Sequence, residues 1–447
     1  MRWSRPIWRQ DKNGGEMPSP SAATASLQRD AVAGDSSTRR WLVVVLLMLA
    51  AIVAYIDRVN LSIAVVDIDF TRYFQLDNSN RGWVGSAFFW SYALFQIPAG
   101  WLVDRYGSKY PMAISFALWS TVTALTALTT GFASLFALRL LMGVGEAAMH
   151  PASLRWIRCN FPETARGLAI GVFMSGSKLG PAVGAVASAW LIGLQGWRVM
   201  FVVLGVGALV WLTPWLLCVK DDRPMRAAQF SQLAVVRLPS RQLLASQVLW
   251  GSVIGTFCYM YFVYFCLTWM PAYLSEARGL SLSSSGLYTT FSFAGMAVMS
   301  IAGGWAADRL IRRGGSPVKV RKSFTIAGFL LASTELLGGS SASLHTALFF
   351  SVLSLSGLGL ATANYWALTQ TLIPGSSIGR IVGIQNCAAS LAGIVAPILT
   401  GWLVDETGSY AAPMQTVVFF LALGIAAYVF LVREKYAPAV VSNPDVA

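Results

Sequence analysis

Asp57 and Arg58 stand side by side in a stretch that carries no other charge from Trp41 to Ala64. Arg139, Gly143, Glu146 and His150 recur at the spacing that places residues on one face of a helix. Lys178 stands in a third apolar stretch. Buried carboxylates and cations of this kind can do two things. An arginine offers a planar fork of donors that grips a carboxylate. A carboxylate that alternates between apolar surroundings and a cation can take up a proton in one setting and release it in the other. In lipid each such group costs roughly 2.5–3.5 kcal/mol at a helix centre, and the set on the order of 10 kcal/mol unless its members pair or face water. An intramembrane charge is therefore read first as functional. Other chemistry finds no support. His150 and His345 are the only histidines and fall in different halves, and Cys159, Cys218, Cys258, Cys266 and Cys387 share no metal-ligand spacing. No nucleophile, metal cluster or cofactor motif suggests an enzyme, and no cofactor beyond a coupling proton is expected.

The elements that must hold these groups are transmembrane helices. The 447 residues are 55% hydrophobic and 12% charged, against about 25% charged in soluble proteins. A span needs about 20 apolar residues, and about twelve such stretches can be marked, centred near Val53, Ser91, Thr121, Gly145, Gly180 and Val206, then Phe262, Ala294, Leu331, Gly357, Ser390 and Leu421. Asp57 lies roughly 24 Å along the first helix from Trp41, deep in the membrane. A polar stretch separates the sixth span from the seventh. The expected organisation is a polar, disordered tail over 1–40, a six-helix bundle over 41–219, a linker over 220–247, a second bundle over 248–433 and a tail over 434–447.

The net charge of +13 follows topology. With the N-terminus cytoplasmic, the inside loops collect Arg105, Lys109, Arg155, Arg158, Arg166, a cluster from Lys220 to Arg241 and another from Arg309 to Lys322. The outside loops hold only Arg72, Arg81, Arg198 and Arg278. Both termini are expected in the cytoplasm, and nucleic acid is excluded as a partner. The halves also repeat: Gly100-Trp101-Leu102-Val103-Asp104-Arg105 after the second span returns as Gly304-Trp305-Ala306-Ala307-Asp308-Arg309 after the eighth. Gly401-Trp402-Leu403-Val404-Asp405 follows the eleventh on the opposite side. Repeated halves with a site between them are the architecture of many secondary transporters.

The run from Gly100 to Lys109, G-x-L-x-D-R-x-G-x-K, resembles the signature loop of the major facilitator superfamily. There Gly100 would allow helix approach, and Asp104 would bind nearby arginines and a neighbouring helix N-terminus when that side closes. Gly100, Asp104, Arg105, Gly107, Lys109, Asp308 and Arg309 are thus expected to gate. Four further segments resemble the anion:cation symporter family, whose bacterial members mostly take up carboxylates with protons. They are Tyr55-Ile56-Asp57-Arg58-Val59-Asn60, Arg139 to Arg155, Phe265 to Gly279, and Asn386 to Gly401. The resemblance implies an all-α protein of twelve transmembrane helices in two six-helix bundles related by pseudo-two-fold symmetry. It implies that Arg58 holds the substrate carboxylate, that Asp57 and Glu146 carry protons, and that Arg139 is their switchable ion-pair partner. Tyr55, Tyr92, Trp366 and Asn386 would complete the pocket. The competing reading of Arg58 is a structural ion pair with Asp57, and of Tyr92 and Trp366 plain packing.

Two residues depart from the family pattern. Lys178 adds a cation, either to hold a second anionic group, as in a dicarboxylate or aromatic acid, or to pair with Glu146 or Asp57. His150 is either a titrating group or a packed neutral ring. Gly176-x-x-x-Gly180-Pro181-x-x-Gly184 resembles an antiporter motif of drug exporters, but small residues at this spacing also serve close helix packing. The expected function is proton-coupled uptake of a small organic anion, a sugar acid (aldonate, hexuronate or aldarate) or an aromatic carboxylate, by a monomer in a bacterial inner membrane. Export or exchange within the superfamily is the alternative, and a channel the reading from another class.

Overall fold

The computed structural model describes residues 37–161, 163–220, 242, 244–372 and 378–436, apart from the side chains of Ser37, Asp104, Gln370, 163–168 and 378–382. Most of the expected tails and linker lies outside the described residues. Those residues form helices and no strand: α1 Ser37–Ala64, a short helix Ile68–Phe74, α2 Asn78–Tyr106, α3 Lys109–Leu125, α4 Phe132–Asn160, α5 over 163–195 and α6 over 197–218. The second half follows as α7 Gln247–Ala277, α8 Leu282–Arg312, α9 Pro317–Ala332, α10 Leu344–Leu372, α11 Ile378–Thr407 and α12 Ala411–Phe430. Nine stretches among the described residues are long and apolar enough to cross a membrane by themselves, one of them comprising both α5 and α6. The helix α2 is less apolar and α9 is shorter, and they complete the twelve passes.

Helix α1 begins ahead of Trp41, because Arg39 and Arg40 extend it into the interface. There Arg39 donates to the Cys218 carbonyl from Nε and Nη2 at 3.0 and 2.7 Å, tying α1 to the end of α6. The reversal between α5 and α6 falls at Gly196, whose φ of 83° belongs to the left-handed region that favours glycine. Packing shows that the chain doubles back there. Gly176 sits against Met48, Gly180 against Ile52 and Gly184 against Ile56, so α5 climbs beside α1 in parallel. Trp197 then stacks edge-on against Phe70, and Trp211 donates to the Leu46 carbonyl at 2.8 Å, back near the level of Gly176. A Cβ at Gly180 would come within 2.5 Å of the Tyr55 Cβ. The glycine stripe is accounted for by this approach, as for small residues generally between membrane helices.

The halves meet where α2 packs on α11, α5 on α8 and α1 on α7. The contacts that define this seam lie away from the chain termini. Arg81 at the start of α2 pairs with Glu276 at the end of α7, and Glu276 also accepts from Tyr410 at 2.9 Å. Trp269 donates to the Pro397 carbonyl at 3.2 Å, and Phe89 meets Tyr264 at 4.4 Å between ring centres. On the termini side Asp308 pairs with Arg321 at 3.0 Å and Trp215 donates to the Lys109 carbonyl at 3.0 Å, each within one half. The molecule is closed at the end remote from its termini.

Candidate substrate and coupling site

Arg58 organises the site. Its Nε and Nη2 both donate to Oε2 of Glu146, at 3.1 and 2.8 Å, joining α1 to α4. The guanidinium carbon lies 4.4 Å from the centre of the Tyr55 ring, 4.6 Å from Phe88 and 5.0 Å from Tyr92. Three ring faces around a desolvated cation contribute about 2 kcal/mol or more each at best, and they hold the plane of the guanidinium fixed. Glu146 is fully buried, and its Oε1 has no hydrogen-bond partner among the described residues. An orphaned acceptor of this kind costs about 1–3 kcal/mol, so it marks a place where a proton, water or ligand belongs.

Asp57 and Arg58 do not touch in an ion pair. Adjacent helix positions point in different directions, so Arg58 turns to α4 while Asp57 turns into the bundle. Asp57 Oδ1 accepts from Asn60 Nδ2 at 3.2 Å, whereas Oδ2 is buried and faces the Thr123 hydroxyl. Arg139 donates from Nη1 to the main-chain oxygen of Asp57 and from Nη2 to Oδ1 of Asn60, both at 3.1 Å. Expected as an ion-pair partner of the carboxylates, Arg139 thus holds backbone and amide in this state. Asn60 is the bridge that spacing alone did not single out. It stands one turn beyond Asp57, which could have flagged it.

Tyr92 reaches the other way, its hydroxyl 3.3 Å from His150 Nδ1, while the His150 ring packs edge-on against Phe173. His150 therefore anchors a wall of the Arg58 box. From the second half, Tyr264 comes within electrostatic reach of Arg58 and was not anticipated. Trp366 on α10 and Asn386 on α11 are partly buried, Trp366 with its ring 5.2 Å from Tyr365. Neither makes a described hydrogen bond to the Arg58 cluster. Lys178 is partly buried on α5 and makes no hydrogen bond or ion pair among the described residues. The pairing with Glu146 or Asp57 is not made, since Arg58 occupies Glu146 and Asn60 occupies Asp57. Glu335 accepts from the Ser351 hydroxyl at 3.1 Å and from Ser354, inside the second half. A cleft beyond Arg58 is lined by Ser62, Arg81, Phe89, Arg139 and Thr268, between the site and the closed end.

The gating residues divide. The Asp104 side chain lies outside the described residues. Arg105 lies over Trp101 at 5.3 Å and Lys109 over Tyr110 at 5.9 Å, while Gly107 ends α2 with φ 80°. Asp308 pairs with Arg321, and Arg309 lies over Trp305 at 5.3 Å. Gly100, expected at a close helix approach, has open space where a Cβ would go. The approach is found at the third copy of the motif. A Cβ on Gly401 would overlap the main-chain oxygen of Asn78, and Asp405 accepts from Ser79 N at 2.6 Å and from its hydroxyl at 2.5 Å. A carboxylate at the end of α11 thus docks on the N-terminus of α2 in the other half, where the helix dipole favours negative charge. Gly100 is open because the halves are in contact at their other end.

A family model described as Major Facilitator Superfamily matches residues 47–397. The chain belongs to this superfamily. Its relatives within the superfamily include the D-galactonate transporter of Escherichia coli O6:H1, 30% identical over 418 residues that cover 89% of this chain and 96% of that one. The hexuronate transporter of Bacillus subtilis is 30% identical, covering 90% of this chain and 96% of that protein. A probable galactarate/D-glucarate transporter of Bacillus subtilis is 30% identical over 90% of this chain and 93% of its own. Among solved structures, a bacterial homolog of the human lysosomal transporter Spinster superposes with a TM-score of 0.76 at 19% identity, covering 92% of this chain and all of that one. The superfamily fold is therefore that of this protein, a multi-pass membrane transporter and not an enzyme.

Within that fold the Gly401 contact makes a prediction. Gly401→Val should hold the remote end open, because overpacking a tight contact costs about 1–3 kcal/mol, a shift of roughly 5- to 150-fold in the open-to-closed ratio. A cysteine placed at Ser79 should then react faster with an impermeant thiol reagent from that side. Unchanged labelling would mean that Gly401 does not set closure.

Proposed function

We propose that the protein imports a sugar acid across a bacterial inner membrane together with protons, by alternating access, as a monomer with both termini in the cytoplasm. The observation that carries the reading is the Arg58–Glu146 pair, buried among Tyr55, Phe88 and Tyr92, with Oε1 of Glu146 unpartnered among the described residues. The relatives named as galactonate, hexuronate and galactarate or glucarate transporters support a sugar acid as the anion. The lysine and arginine excess in the loops on the termini side supports the orientation.

The cycle follows from competition for one guanidinium. Glu146 as an anion occupies Arg58. A proton on Glu146 frees two donors of Arg58 for the substrate carboxylate, and the substrate in turn leaves Glu146 without its partner, so each favours the other's binding. Asp57 offers a second place for a proton, with Asn60 at one oxygen and the Thr123 hydroxyl facing the other. Release of the Asp405–Ser79 and Arg81–Glu276 contacts opens the remote side, and their formation closes it behind the substrate. The Asp104 and Gly100 copy would do the same at the termini end.

Purified protein in lipid vesicles should exchange labelled galactonate, galacturonate or galactarate and accumulate at least one of them under an inward proton gradient. Exchange of none of these acids would sink the sugar-acid reading. Exchange without accumulation under any proton gradient would remove the coupling and leave an exchanger.

A further inference from the structure

We propose that Lys178 is the second anchor of the substrate and that the preferred sugar acid is a dicarboxylate, with one carboxylate on Arg58 and the other on Lys178. The inference rests on the sugar-acid reading of the Arg58 site and narrows its substrate class.

Place and charge support it. On α5 the face that meets α1 carries Gly176, Gly180 and Gly184. A different face, carrying Ala182, Ala185 and Ala189, meets α8 of the other half: Thr290 donates to the Ala182 carbonyl at 2.7 Å, and Gly286 lies against Ala185 and Ala189. Lys178 is one turn below Ala182 and falls on this second face. It therefore sits on the seam between the halves, just past the end of the α5–α8 contact toward the termini. Gly180, two residues on, packs on Tyr55, whose ring lies against Arg58. Lys178 thus stands at the depth of Tyr55 and Arg58, on the face of α5 turned toward α8.

The charges there do not balance. Arg58, Arg139 and Lys178 are three cations, and Asp57 and Glu146 are two carboxylates, which leaves one positive charge in excess. Glu335, the other buried acid among the described residues, is held by Ser351 and Ser354 within the second half. An unpaired charge inside a membrane protein is costly, so the occluded complex is favoured when its charges sum to zero. A monoanion cancels the excess with no proton bound, but the competition for Arg58 calls for a proton on Glu146, and the two together leave one positive charge. A dianion plus one proton also cancels it, and this is the combination that preserves symport. Lys178 therefore adds one unit of anionic charge to what the site accepts at a fixed proton count.

The test measures binding and vesicle counterflow of galactarate and glucarate against galactonate and galacturonate. Wild-type protein should favour the dicarboxylates, and Lys178→Gln should reduce the ratio of dicarboxylate to monocarboxylate affinity by about thirtyfold or more, as for loss of one partner of a buried charge pair. Lys178→Arg, which keeps the charge, should retain the preference. Wild-type preference for monocarboxylates would overturn the inference while leaving the sugar-acid reading in place. A Lys178→Gln variant that weakens both classes equally would overturn it too, since it would make Lys178 structural. Binding of none of the four acids would remove the underlying reading itself.

Discussion

Arg58→Lys should reduce sugar-acid transport by at least about thirtyfold, and by a thousandfold at the upper end, with expression and membrane insertion unchanged. Arg58 supplies two donors to one oxygen of Glu146 and lies within 4.4–5.0 Å of three ring centres. An ammonium keeps the charge but offers no planar fork and stacks poorly. Loss of a buried, charge-assisted contact costs about 2–5 kcal/mol, and each 1.4 kcal/mol is a factor of ten. The measurement is initial uptake in vesicles with equilibrium binding on the same preparation. Wild-type affinity in the lysine variant would show that the substrate carboxylate is held elsewhere.

Glu146→Gln should abolish uphill accumulation while exchange between equal substrate pools survives. The amide fills the same volume, cannot take up and release a proton, and no longer neutralises Arg58, which is left free for substrate. Asp57→Asn tests the second carboxylate by the same assay. With one proton per dianion the cycle carries one negative charge inward, which an inside-negative potential opposes; if both carboxylates carry protons, it moves no net charge and the pH gradient alone drives it. A surplus proton would add roughly 2.3 kcal/mol per 100 mV of membrane potential. Both variants are to be followed under an imposed pH gradient, with and without a potential. Wild-type accumulation in both would place the coupling groups elsewhere. Loss in Glu146→Gln alone would make Asp57 a fixed structural charge.

Much of the site was legible in the chain because charge in an apolar run is conspicuous. Asp57, Arg58, Arg139, Glu146 and Lys178 stood out for that reason, and helical spacing alone put Arg139, Glu146 and His150 on one face. Tyr92 and Tyr55 were recognised through family likeness and do line Arg58. Phe88 and Tyr264 were not, and Asn60, though part of a family-like segment, received no role, because apolar or uncharged residues in a membrane helix look like every other packing residue. Only the approach of α1, α2, α4 and α7 gives them a task.

Partner choice was beyond the sequence. An aspartate beside an arginine invites pairing, yet the helix turns neighbouring side chains about 100° apart, given 3.6 residues per turn, and Arg58 bonds Glu146 from another helix. The repeated Gly-Trp-x-x-Asp motif shows the same division. Its copies at Gly100 and Gly401 are visible in one dimension, and so is their role at helix ends. Which copy is engaged depends on which end of the two bundles is in contact, and here Gly401 and Asp405 meet α2 while Gly100 faces open space. Composition and the spacing of apolar runs determined that this chain spans a membrane twelve times and where its charges sit, because lipid penalises each residue in turn, independent of its partners. The pairing of those charges, and the end at which the halves close, were decided only by tertiary structure, because ion pairs and gates depend on the relative placement of helices far apart in the chain.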